Sequence, residues 1–346
     1  MLGPKVSVVI PVYRVKKEYF DNCILSLLHQ TMQEIEIIIV CDGAKAEYVD
    51  YCREYQKKDD RIMVLEQQNS GAAVARNNGI AHAGGKYITF VDVDDWVEPE
   101  YCQFFYDTFE ANEDVQIISS AAFLNRSEKE VKNPFWPGKR HIFEGKEKEQ
   151  VELQAIYKEA AEFVPPFATF GTTWAKAYRL EWLKQENLRY EPELRRGQDT
   201  VFNLYAFERA EKILYVEQYL YHYRTNEDST VNKYTDNVIE ILDRIARHIY
   251  GYITEYHKDE RFYKAYYNKK IQLLMQSMNC DYLHKNNPKS YSAKRKELKA
   301  VISKREYKKF FKNADKSKLP ITRRIYWMLI RYRVVDLIFL ANKIYS

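Results

Sequence analysis

Asp92-Val93-Asp94-Asp95 puts three carboxylates within four residues at the end of an apolar run, KYITF. Like charges at that spacing repel, so a fold keeps them together for a cation or for a network of donors. On an extended strand side chains alternate, which predicts Asp92 and Asp94 on one face. Such a pair suits a hard divalent cation, Mg²⁺ or Mn²⁺, which binds through one or two carboxylates plus substrate phosphates. The bland alternative is an Asp-rich turn, or a cap for a helix starting near Glu98-Pro99. Another acidic residue, Asp199 in Gly197-Gln198-Asp199-Thr200-Val201-Phe202, opens a helical pattern and by itself reads as an N-cap.

These residues need elements to position them. KVSVVIPVY and EIEIIIVCD are continuous apolar, β-branched runs, the pattern of strands buried on both faces. RIMVLEQ is a third strand and KYITFVDVDD a fourth. Helical spacing falls between them, at Lys17–Gln30 and Glu47–Lys57, and from Asn69-Ser70-Gly71 to about Ala83, where Gly84-Gly85 ends it. Strands alternating with single helices predict a doubly wound α/β sheet, whose ligands lie beyond the carboxyl ends of the strands. Tyr13, Asp42, Asn69, Arg76, Asp92, Asp94 and Asp95 fall at those ends. No GxGxxG follows the first strand and no GxxxxGK[ST] occurs, so a dinucleotide fingerprint and a P-loop are both missing.

The 346 residues suffice for one large domain plus an appendage, or for two domains. At 46% hydrophobic and 30% charged residues, the chain is too apolar to be disordered. It lacks an uncharged apolar run long enough for an ordinary transmembrane helix. The start, MLGPKVSVVIPVY, reads as a strand rather than a signal peptide. Five cysteines without a CxxC pair argue against a disulfide framework or a zinc site and fit a reducing cytosol. Net charge is +5, but residues 285–346 hold eighteen Lys/Arg against four Asp/Glu, leaving the first 284 residues at −9. A basic tail on an acidic body predicts a polyanionic partner.

VSVVIPVY, IIIVCDG and NSGAAVARNNGIAHAGGKYITFVDVDDW together resemble the nucleotide-sugar domain of inverting family 2 glycosyltransferases, which have the GT-A fold. This match covers about residues 5–120. The resemblance implies that Pro11 and Tyr13 border the nucleobase, that Asp42 pairs with it, most often as uracil, and that Arg76 lies near it. It further implies that Asp92 reads the ribose region and that Asp94 holds the metal bridging the diphosphate. Asn77 and Gly79 are expected to serve close helix–sheet packing. The family's two acidic residues followed by Gly-Ser become Cys41-Asp42-Gly43-Ala44, so Asp42 is kept and the serine hydroxyl is lost.

A second match extends the resemblance to about residue 232. Residues 123–165 read as a variable loop and a helix, Lys146–Glu162. Trp174, Lys176 and Tyr178 are similar to the family's acceptor-side W-x-K-x-Y run, with Trp174 either stacking on an acceptor sugar or sitting in the core. Gly197-Gln198-Asp199 resembles the G-E-D motif whose Asp is the catalytic base, with Gln198 in place of Glu on the acceptor side. Tyr221-His222-Tyr223-Arg224, with Ser229, resembles the closing Y-x-Y-R…S segment. Arg224 would then support the leaving diphosphate or brace the loop, and His222 would be an extra metal ligand or a structural residue.

The implied organisation is a GT-A domain over 1–232 (a nucleotide-sugar half to 120, an acceptor half from 121) and a basic helical region over 233–346. Helices are expected at Asn237–His257, Arg261–His284 and Ser292–Phe311. Residues 320–346 interleave arginines with apolar side chains, which suits a helix lying in a membrane surface. Packing on the protein itself or on a second subunit, as in a homodimer, is the alternative, and no nucleic-acid module is recognised. The implied activity is inverting, Mn²⁺- or Mg²⁺-dependent transfer of a hexosyl or N-acetylhexosaminyl group from a UDP-sugar to a glycan hydroxyl. The expected acceptor is polyprenyl-diphosphate-linked, at the cytoplasmic face of a bacterial membrane, in capsule, exopolysaccharide or O-antigen synthesis. A nucleotidyltransferase on the same fold and a degenerate binding or assembly subunit are the competing readings.

Overall fold

The computed structural model describes residues 3–126, 129–225, 233–319 and 321–345; Ser229 lies outside them. The chain forms two compact units, Met1–Ala155 with Phe163–Thr225, and Ile156–Glu162 with Asn226–Ser346.

The first unit opens with β1 (Val6–Val12), α1 (Lys17–Leu28), β2 (Ile35–Asp42), α2 (Ala46–Gln56), β3 (Ile62–Gln67), α3 (Ala72–His82) and β4 (Tyr87–Phe90). These four strands pair in parallel in the order β3-β2-β1-β4. The apolar runs are buried on both faces, as their pattern requires: Val8, Val9, Ile10, Ile37, Ile38 and Ile39 are all fully buried. Register brings Asp42 beside Gln67 and Val9 beside Phe90, so the four carboxyl ends share one edge. Val9 O accepts from Val91 N, so odd residues of β1 face β4. Pro11 therefore lacks its N–H on the β4 side, beyond that strand's last paired residue, where a strand proline is tolerated.

Helix α3 lies close on the sheet because of Gly79. A Cβ there would sit 2.3 Å from Val9 Cγ1, well inside van der Waals contact. The expected packing role of Gly79 is thus observed. Asn77 acts differently: its side-chain amide donates to Tyr190 O and accepts from Tyr190 N, both at 2.8 Å, tying α3 to a distant loop rather than to the sheet.

The remainder of the unit comprises β5 (Trp96–Val97), α4 (Tyr101–Glu110), β6 (Ile117–Arg126), β7 (Lys129–Asn133), β8 (Arg140–Glu144), α5 (Lys148–Ile156), β9 (Lys176–Arg179), α6 (Leu180–Gln185), α7 (Gln198–Arg209) and β10 (Lys212–Arg224). The sheet continues β4-β9-β6-β10-β5, with β7 on β6 and β8 on β10. The architecture is the mostly parallel α/β layer expected of a GT-A fold, extended by antiparallel strands.

Two local expectations are corrected here. The fourth strand stops at Phe90, so Asp92–Asp95 form a turn, closed by Asp95 N donating to Asp92 O at 3.0 Å, and strand alternation does not place them. Residues 123–165 are not a loop plus one long helix but hold the end of β6, two further strands and the short α5. Strands β7 and β8 are polar and mostly exposed, so they carry no buried-strand pattern.

The second unit is helical: α8 (Val238–Glu255), α9 (Glu260–Ser277), a π-helical turn (Met278–Tyr282), α10 (Tyr291–Ile302), α11 (Arg305–Asn313), α12 (Ile321–Arg331) and α13 (Val335–Tyr345). Leu242, Ile245, Ala246, Ile249 and Ile253 of α8 recur at helical spacing and are buried. The single helix expected over Ser292–Phe311 is two, and the single terminal helix is a pair broken at Arg333, whose φ is +56°.

Candidate active site

The shared strand edge gathers the predicted polar residues. Tyr13 follows β1 and is 55% exposed, an open aromatic face beside half-buried Pro11. Asp42, ending β2, is buried and accepts from Gln67 Nε2 at 2.9 Å, Ser70 N at 2.7 Å and Gly71 N at 2.8 Å. Its carboxylate thereby fixes the loop into α3, and a carboxylate has room for a further donor.

Each carboxylate of the acidic triplet has its own environment. Asp95 is fully buried and points inward, accepting from Tyr221 Oη at 2.6 Å and from Arg224 N at 2.8 Å. Burial pushes its carboxyl well above the ordinary range, and Asp94 and Asp92 push it further. The same Tyr221 hydroxyl accepts from Asp92 N at 3.2 Å, so a backbone N–H, a phenol and a buried carboxylate line up in series. Arg224 Nε donates to Asp94 O at 2.9 Å, and its guanidinium lies 4.2 Å from the Tyr19 ring centre and 4.5 Å from that of Trp96. Arg224 therefore braces the turn that presents Asp94.

Asp92 is turned toward Arg76, whose Nη2 donates to Asp92 Oδ1 at 2.7 Å while Nη1 donates to Asp199 Oδ1 at 3.0 Å. Arg76 is only 3% exposed and lies 5.4 Å from the Tyr190 ring centre. The guanidinium expected near the nucleobase is held by two carboxylates, one of them Asp92. A buried arginine persists only when so paired.

Asp199 reaches Arg76 because of how α7 begins. Gly197 is the N-cap in the left-handed region, φ +67°, which glycine adopts at no steric cost, and no side chain caps the helix. Asp199, in the first turn, is therefore not a cap. Its side chain keeps 26% exposure. Burial raises its carboxyl above the usual range; Arg76 pulls it down, Asp92 pushes it up and Lys176 pulls it down. Gln198 Oε1 is buried and finds no hydrogen-bond partner among the described residues. Lys176, missed as a site residue, is fully buried on β9 and donates to Thr172 O at 2.7 Å; burial lowers its ammonium to about 7. Its place in the W-x-K-x-Y run was the available signal.

Two further residues are reassigned. Trp174 is 4% exposed and stacks on Tyr221 and Tyr223, with ring centres 5.0 and 5.2 Å away, so it is core rather than an acceptor platform. His222 is stacked between Trp96 and Phe123, with Nε2 2.8 Å from Glu98 Oε1 and Nδ1 3.3 Å from Glu130 Oε2. Both ring nitrogens face these carboxylates, which is the structural arrangement of the two that the sequence leaves open.

Among the described residues no three His, Cys, Asp or Glu side chains converge as a metal cage. With Asp95 held inward, Asp94 is the residue of the triplet that would hold a hard cation at this turn, together with ligand phosphate oxygens. That is the pattern of Mg²⁺-type sites, which borrow much of their coordination from substrate.

The chain is similar to solved structures of Staphylococcus aureus TarS 1-349; with the form in complex with UDP-GlcNAc the TM-score is 0.65, over 99% of this chain and 91% of that one, at 18% identity. The likeness defines a shared fold. Two Bacillus subtilis (strain 168) proteins are similar in sequence: EpsH, 33% identical over 69% of this chain and 66% of that one, and EpsJ, 33% identical over 65% and 62%. The chain thus spans about two thirds or less of these relatives. The model of glycosyl transferase family 2 matches residues 7–184, and the chain belongs to that family. Asp199 and Arg224 lie beyond the matched stretch.

Proposed function

We propose that this chain is an inverting glycosyltransferase that moves a sugar from a UDP-sugar to a hydroxyl of a glycan acceptor in bacterial surface polysaccharide synthesis. The observation that carries the reading is the single buried guanidinium shared by Asp92, on the nucleotide side, and Asp199, on the acceptor side. The UDP-GlcNAc bound to TarS and the glycosyltransferase names among the relatives support the donor class.

Tyr13 and Pro11 form a wall for the base, Asp42 accepts from its ring N–H, and Asp92 faces the ribose. Asp94 would hold Mg²⁺ or Mn²⁺, which when bound offsets charge on the departing diphosphate. Arg224 keeps the Asp94 turn in place and adds positive charge nearby. Asp199 takes the proton from the acceptor hydroxyl as its oxygen attacks the anomeric carbon from the face opposite the leaving group. A carboxyl raised above its usual range is a stronger base than an exposed aspartate. Gln198, next to Asp199 at the start of α7, lies on the acceptor side. One displacement then inverts the anomeric centre. A polyprenyl-diphosphate-linked acceptor at the cytoplasmic membrane face fits this role.

The test is a panel of UDP- and GDP-sugars, with and without Mn²⁺, read by thermal stabilisation and donor hydrolysis. Metal-dependent stabilisation by one UDP-sugar, with slow hydrolysis, is expected. Absence of stabilisation by every nucleotide sinks the reading and favours a non-catalytic assembly role.

A further inference from the structure

The terminal helix pair presents two different faces. Its inner face is packed: Trp327, Ile330, Val335 and Ile338 are all buried, and Trp327 meets Phe311 of α11 edge-on at 5.6 Å. Its outer face is apolar too. Ile325, Met328, Tyr332, Val334, Leu337 and Leu340 are each at least 37% exposed, and Tyr332 reaches 70%. Six of the fifteen exposed large hydrophobic side chains among the described residues thus fall within 325–340. Single exposed apolar residues need no explanation, but a concentrated row does.

Charge around that row identifies what would cover it. Arg324 and Arg331 are exposed beside it and Arg333 sits at the bend between the helices. The one acid within 321–345, Asp336, is engaged by Arg295 Nε and Nη2 at 2.6 and 2.8 Å and by Tyr291 Oη at 2.7 Å. The face therefore offers apolar side chains beside arginines that, among the described residues, pair with no carboxylate (Arg324 donates to the Leu319 and Ser317 carbonyls), within a segment whose net charge is strongly positive. No helix among the described residues is long and apolar enough to cross a membrane. Apolar side chains rimmed by arginine on a short helix suit lying in an interface, with the rings and aliphatic groups at the acyl boundary and the guanidinium groups at headgroup phosphates.

We infer that the outer face of α12–α13 is a docking surface for an anionic phospholipid bilayer. The inner face keeps the helix pair seated on its own unit, so docking needs no unfolding. This inference stands apart from the transfer chemistry, because vesicle binding is read without any sugar nucleotide.

The experiment floats the full chain with vesicles of phosphatidylcholine alone, or of phosphatidylcholine with phosphatidylglycerol, at low and high salt. The expected result is flotation with the anionic vesicles, weakened by salt. The double variant Met328→Glu/Leu340→Glu should lower partition by about a hundredfold, roughly tenfold for each apolar side chain no longer buried. Arg331→Gln should lower it about fivefold. All three positions are exposed, so the thermal unfolding curve should stay in place. No flotation with anionic vesicles at low salt overturns the inference, as does flotation untouched by the double glutamate variant. A dimer in solution that this variant splits also overturns it, because a second copy would then cover the face.

Discussion

Arg76 and Asp199 meet at 3.0 Å although they lie 123 residues apart in the chain, and the other end of the same guanidinium holds Asp92 at 2.7 Å. The charge on α3 therefore serves two carboxylates delivered by different halves of the sheet.

Replacing Arg76 tests that junction. Arg76→Met leaves two carboxylates facing each other without a cation, and breaking a buried pair costs about 3–5 kcal/mol. Both carboxylates keep more than a quarter of their exposure, so the low end is expected, about 3 kcal/mol. Arg76→Lys should recover part of the stability and little of the turnover, because one ammonium lacks the planar fork that reaches both partners. Denaturant unfolding and transfer rates measure the two effects.

Asp199→Asn keeps the size and removes the carboxylate proposed as the base. Transfer should fall by roughly 10²–10⁴, the range assigned to a positioned general base. Nucleotide-induced thermal stabilisation should persist. Full transfer by the variant would remove Asp199 from the chemistry.

The pH profile gives an independent reading. Burial raises the Asp199 carboxyl, so the proton-accepting form disappears as pH falls through a value above the ordinary aspartate range. The acid limb of kcat/KM should lie accordingly high. Lys176 pulls that carboxyl down, so Lys176→Met should move the limb higher still. The same variant has a stability signature. Lys176 in the folded protein titrates at about 7, whereas the unfolded chain stays protonated to about 10.4. Over that window the unfolded state binds more protons, so stability rises with pH. Lys176→Met should flatten the rise, seen in unfolding curves at pH 7 and pH 10.

Tyr221→Phe removes the hydroxyl between Asp92 N and Asp95. Asp95 keeps the Arg224 N–H on one oxygen, and the other, left buried without its donor, costs about 1–3 kcal/mol. The turn bearing Asp94 should loosen, weakening metal-dependent nucleotide binding more than metal-free binding in calorimetric titration.

The strands and helices that face one core were legible, because burial on both faces writes a long apolar run and one-sided burial writes helical spacing. Gly79 was legible for the same reason, since a missing side chain inside a helical pattern marks a close approach. Strands β7 and β8 were not, because sheet-edge pairing with one exposed face leaves polar sequences such as KEVKN without a signal. At the candidate site, residue types singled out Asp42, Asp94 and Asp199 but could not show their partners. Arg76, Trp174 and His222 are polar or aromatic residues near the right motifs, yet side-chain direction assigns them to an ion bridge and to stacked cores. Direction depends on tertiary packing that one sequence does not record.

Asn77 and Arg76 are neighbours on α3, and both reach into the part of the chain beyond residue 180, one to the Tyr190 backbone and one to Asp199. The helix therefore works as an adaptor, machined to fit one particular stretch of chain beyond residue 180. Anyone recombining relatives to obtain new linkages by splicing near residue 120 would join that half to a foreign adaptor. Carrying α3 across with the donated half, as a discontinuous graft, respects the join that the molecule itself uses.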